Sequence, residues 1–116
     1  MNGSGKRWTV HDLDGSPIYL TQERWEHIVE ENNHLEMVDY EEHLKTTIKK
    51  GRRRQEPLNP REYRYVYPFD DLPHGSNHIV AIVLFGFDID KDGKTTPNNF
   101  LATAFFKHIR LKGGKK

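Results

Sequence analysis

His27 and His34 stand seven residues apart, with Glu31 between them. On a single helix this spacing puts all three on one face, opposite Trp25, Ile28 and Val29. Such a face is either a solvated polar surface or a place for proton transfer, which suits imidazole because histidine titrates near neutrality. The trio argues little for a metal site, since the spacing is not the usual His-x-x-x-His pair. The second group is cationic: Lys49, Lys50, Arg52, Arg53 and Arg54 surround Gly51. A helix C-terminus accounts for the two lysines. It accounts less well for three consecutive arginines, and contact with an RNA backbone is the expected role of the run.

Arg64 lies in the middle of Tyr63-Arg64-Tyr65-Val66-Tyr67, which alternates with period two. A charge in mid-strand must reach a cleft or a partner, and a guanidinium fork suits phosphate oxygens. The three tyrosines share the other strand face, where they are either core or a stacking platform for bases. Asp88-Ile-Asp90-Lys-Asp92-Gly93 matches the first half of a calcium loop, but its twelfth position is Asn99 and strands flank it, so a polar hairpin loop is expected. His78, Lys107 and His108, at strand ends, are reserve proton and phosphate groups.

The elements that must position these residues follow from local pattern. Trp8–Val10 and Ile18–Leu20 read as two short strands joined by a turn at Asp12-Leu13-Asp14-Gly15. Thr21 reads as the N-cap of a first helix, with Leu20 and Trp25 as a hydrophobic staple and Trp25, Ile28 and Val29 as its apolar stripe. Asp39 and Glu42 fit a capping box for a second helix, whose apolar residues Tyr40, Leu44 and Ile48 recur every four and which ends at Gly51. A proline-bearing loop, Glu56 to Pro60, leads to the tyrosine strand. Ile79–Phe87 is a nearly unbroken apolar run that reads as a central strand, and Phe100–Phe106 as the last one.

The expected fold is therefore one α+β domain over residues 8–110, flanked by loose tails at 1–7 and 111–116. Two N-terminal helices pack on a mainly antiparallel sheet of about four strands. Two helices cover only one face of a central strand that is apolar on both, so the N-terminal segment or a second subunit is expected on the other, the latter making a homodimer.

Composition agrees with one small folded unit. Leu, Ile, Val and Phe number 28 of 116 residues, about 24%, and the net charge is only +1, which places the chain on the folded side of the boundary with disorder. The absence of cysteine excludes disulfides, thiolate catalysis and cysteine-ligated zinc. No apolar run approaches the roughly 20 residues of a membrane span and Met1–Trp8 lacks a signal-peptide core, so an intracellular, cytoplasmic protein is expected, with no membrane partner.

The order of Asp14-Gly15, Ile18-Tyr19-Leu20-Thr21, Arg24-Trp25-Glu26-His27-Ile28, Asn33-His34-Leu35-Glu36 and Thr103-Ala104-Phe105 resembles phage-associated BECR-type nuclease domains. That group contains barnase, EndoU, the colicin-type tRNases and RelE-type toxins. Leu35 stands where the pattern has proline, and Phe105 where it has tyrosine. The resemblance implies a RelE-like fold and a small cytoplasmic ribonuclease or toxin that needs no metal or cofactor. In that chemistry the ribose 2′-oxygen attacks the adjacent phosphorus, with His27, His34, Arg64 and Thr103 as the catalytic set. It also implies RNA as substrate and an antitoxin or immunity protein as partner. A binding module on the same fold, without the chemistry, is the alternative.

Overall fold

The computed structural model describes residues 5–31 and 35–110. The chain opens with a hairpin: β1 (Lys6–His11) pairs antiparallel with β2 (Pro17–Thr21). Asp12 builds the turn. Its carbonyl accepts the Gly15 N–H at 2.9 Å and one carboxylate oxygen accepts the N–H groups of Asp14 and Ser16, while Gly15 takes φ +83°, where a side chain would be strained. Helix α1 (Gln22–Glu31) follows at once, and Thr21 Oγ1 accepts the Arg24 N–H at 3.0 Å, an N-cap bond.

A 3-10 helix (Leu35–Tyr40) runs directly into α2 (Glu41–Lys50). The expected Asp39–Glu42 capping box does not form: Tyr40 holds the N-cap position without a side-chain bond, because helical chain already leads into it. Gly51 ends α2 in extended rather than left-handed conformation, at φ −74° and ψ 159°. Glycine is needed there for close approach, since a Cβ would lie 2.3 Å from Thr47 O and 2.8 Å from Val66 O.

The remaining strands are β3 (Arg52–Glu56), β4 (Asn59–Pro68), β5 (His78–Leu84), β6 (Phe87–Ile89), β7 (Thr95–Pro97) and β8 (Phe100–Lys107). The main sheet has the order β1-β2-β8-β5-β4-β3, and β6 and β7 form a separate ribbon. All its neighbours are antiparallel except β2 and β8, which run parallel and meet at Tyr19 and Phe100. The fold is α+β, but the expected arrangement is corrected in two respects. The sheet has six strands instead of about four, and two of them precede the helices. The extra strand at the far edge is the basic run itself, whose sequence RRRQE carries no apolar alternation to announce it.

Ile18, Leu20, Trp25, Ile28, Leu44, Ile48, Tyr65, Ala81 and Leu101 form one core between the helices and one sheet face. Tyr65 is only 1% exposed, so the tyrosine strand supplies core on this side. Among the described residues no helix packs on the opposite face. The β1–β2 hairpin extends the sheet edge instead of covering that face, and Ile82, Leu84, Val66 and Phe105 remain half-buried there. Among the described residues no helix is long and apolar enough to cross a membrane.

One polar cluster ties the first hairpin to the far strands. The buried Asp12 carboxylate accepts Tyr65 OH at 2.6 Å and Arg53 Nη1 at 3.0 Å. Burial alone would raise the Asp12 carboxyl, but hydrogen bonds from Tyr65, Ser16 and Asp14, with the Arg53 charge, outweigh it and hold the group below its ordinary value. Asp12→Ala leaves the Tyr65 hydroxyl and the Arg53 fork without their acceptor, an expected loss of about 2 kcal/mol. A lowered carboxyl adds stability above its unfolded pKa, about 3.9, and that contribution is lost as pH falls through the native value. Thermal melts are therefore expected to show wild-type stability falling on acidification below about pH 4, with this slope flattened in Asp12→Asn.

Candidate nucleic-acid interface

Strand alternation sorts the basic residues. Side chains point alternately to the two faces, so Arg53 is turned to the helix side while Arg52 and Arg54 are turned to the uncovered side. Arg53 is engaged there: besides Asp12 it lies 3.4 Å from Asp14, and its guanidinium stacks 4.7 Å from the Tyr63 ring and 5.3 Å from Phe85. Lys49 and Lys50 are exposed in the last turn of α2, just before the sheet edge.

On the uncovered side the register draws a map. Arg54 stands opposite Arg64, Arg64 opposite Ile82, and Ile82 opposite Thr103. The neighbouring row reads Arg52, Val66, Val80, Phe105, and beyond it Pro68, His78, Lys107. The face is therefore an apolar and aromatic centre with cations along the β3–β4 side and at one end. Adjacent strands are about 4.8 Å apart, which puts Arg64 and Thr103 roughly 10 Å from each other across Ile82. Like charges directly opposite destabilise a strand pair, and Arg54 and Arg64 are such a pair in the register. Two acids partly offset it: Arg64 Nε lies 3.5 Å from Glu62 and 3.7 Å from Glu56. His78 is held below its ordinary value by burial first and by the His108 charge second.

His27 sits elsewhere, exposed on α1, in a cleft of about 280 Å³ lined also by Tyr19, Thr21, Glu23, Arg24, Phe100 and Leu101. Arg24 is three residues before it and shares its side of the helix. Tyr19 and Phe100 belong to the uncovered face, with ring centroids 6.2 Å apart, and Lys6 lies 4.5 Å from the Tyr19 ring. The Tyr19 hydroxyl donates to Asn98 Oδ1 at 2.5 Å. Burial above all, and then Asp88, push that hydroxyl up against the opposing effect of the Asn98 bond. The cleft thus adjoins the β8 side of the open face.

Of the catalytic set expected from sequence, Arg64 and Thr103 share one row of the open face, whereas His27 lines its own cleft and Arg64 a second one beside Arg54 and Glu56. His34 lies outside the described residues. Arg24, Tyr19 and Phe100 line the cleft without having been candidates from the sequence, where the one available signal for Arg24 is its three-residue spacing from His27. In the Asp88–Asp92 stretch Asp88 and Ile89 belong to β6, and Asp90 begins the hairpin turn, its Oδ1 accepting the N–H groups of Asp92 and Lys94. Among the described residues no three histidine or carboxylate groups cluster as for a metal ion. Neither protein-family models, nor curated proteins, nor solved structures give a match to this chain.

Proposed function

We propose that this chain is an RNA-directed domain that holds a single strand across its uncovered sheet face. The observation that carries the reading is the in-register Arg54–Arg64 pair with Arg52 beside it, three guanidinium groups on one side of an apolar strip that contains Phe105. Arginines neutralise phosphates, and aromatic or apolar side chains accept unstacked bases whatever their sequence. The test is the salt dependence of RNA affinity in wild type and in variants of these arginines.

Cleavage is the second reading, favoured by the cleft that puts His27 beside Arg24 and two aromatic rings. There His27 would take the 2′-hydroxyl proton or supply one to the departing 5′-oxygen. Arg24 would steady the charge that builds on phosphorus. Attack by the 2′-oxygen breaks the bond to the 5′-oxygen and leaves a cyclic phosphate and a free 5′-hydroxyl. This chemistry resembles that of the BECR group and asks nothing of a divalent ion. Cleavage is expected to persist undiminished in EDTA and to leave cyclic ends, as end-group analysis of the products reports. Activity that chelation abolishes and magnesium restores contradicts the mechanism.

A further inference from the structure

After β5 the chain leaves the main sheet as the β6–β7 ribbon, which pairs only with itself. The register puts Phe87 opposite Pro97 and Ile89 opposite Thr95, so these side chains share one ribbon face. Phe87 is 74% and Ile89 72% exposed. A two-stranded ribbon alone is marginal in water, and one that displays an aromatic and a branched side chain on its surface is incomplete without something to pack on.

At the ribbon's base lies a groove of about 650 Å³ lined by Pro60, Arg61, Tyr63, Phe85 and Phe87. The rings of Tyr63 and Phe85 are in contact, with centroids 4.6 Å apart. Arg61 Nε donates to Phe85 O at 2.8 Å, and its guanidinium lies against Gly86, where a Cβ would come within 3.0 Å of it. Among the described residues no carboxylate forms an ion pair with Arg61. The ribbon has the opposite sign, with Asp88, Asp90 and Asp92 against Lys91 and Lys94.

We propose that this end of the molecule is a homodimer interface, in which the ribbon of each copy seats Phe87 and Ile89 in the groove of the other and brings Asp92 of its turn to Arg61. The occupant is a second copy because one surface carries both halves of the fit. A protruding apolar strand adjoins an aromatic groove, and an acidic turn adjoins a cation that has no ion pair among the described residues. A two-fold axis makes such halves meet twice. Tyr63 faces the helix side of the sheet, away from Arg64, so this contact and the RNA face are separate and fail independently.

Sedimentation equilibrium on the full chain tests the proposal. The 13.7 kDa chain is expected to approach twice that mass as concentration rises. Phe87→Ser with Ile89→Ser is expected to raise the dissociation constant about thirtyfold or more, as truncating central interface anchors does. Ile89→Thr, which keeps strand propensity, is the milder variant to use if the double one melts early. Arg61→Glu weakens the dimer, and adding Asp92→Lys to it restores association. A wild type that stays monomeric at every concentration overturns the proposal. So does a dimer that folded ribbon variants leave intact.

Discussion

Replacing Arg52, Arg54 and Arg64 together with Ala is expected to weaken binding of a single-stranded RNA about a hundredfold at 0.1 M salt. Each phosphate contact to a single strand contributes about 0.7 to the slope of log affinity against log salt, so three contacts remove about 2 from it. At a tenth of molar salt that slope corresponds to the hundredfold loss. The register supplies the reason to expect contacts from Arg52, Arg54 and Arg64 but not from Arg53. Arg53 points to the helix side and is spent on Asp12, Asp14 and the Tyr63 ring. Arg53→Ala is therefore expected to lower the melting temperature and leave the salt slope nearly unchanged. Lys49→Ala with Lys50→Ala, at the helix end, should weaken binding less than the three arginines do. An equal loss from all six positions would mean that net charge alone attracts the RNA.

The second large effect concerns His27. If the cleft cuts RNA, His27→Ala should slow cleavage about 10²–10⁴-fold, the usual contribution of a positioned acid or base. RNA affinity should change little, because the phosphate contacts lie across the sheet. The fold should also tolerate the change: His27 is exposed, and surface substitutions usually stay within about 0.5 kcal/mol. Arg24→Ala should slow cleavage similarly if it steadies the phosphorane. Arg64→Ala should act mainly on affinity, since Arg64 and His27 line different clefts. An Arg64 variant that binds normally but cuts slowly would return Arg64 to the chemistry and require the chain to close around the substrate. A wild type that binds RNA and never cuts it leaves the domain a binding module.

What could be read from the sequence was whatever rests on local periodicity. Thr21 caps α1, Trp25 and Ile28 face the core, and the apolar run read as one strand over Ile79–Phe87 is a central strand as far as Leu84, with Phe87 already in β6, because caps and apolar repeats are written in adjacent residues. β3 was hidden for the opposite reason. Its residues are all polar, and it is a strand only because β4 offers a hydrogen-bonding edge and Gly51 lets the chain turn closely past Val66. Once it is known to be a strand, period two splits the arginine run into one structural and two open-face residues. The Asp12–Arg53 and Asp12–Tyr65 bonds join residues 41 and 53 positions apart. Only the sheet order brings them together. The same order decides that His27 and Arg64, plausible partners as residue types, stand on different parts of the molecule.

Titrating isotopically labelled protein with a short single-stranded RNA maps the binding face through the backbone and side-chain resonances that move. A strand held on the uncovered face is expected to give salt-sensitive shifts concentrated at Arg52, Arg54, Arg64, Val66, Ile82 and Phe105, fading toward the α2 side of the sheet. Shifts confined to the helices or the β6–β7 ribbon, or no salt-sensitive binding at all, would contradict it.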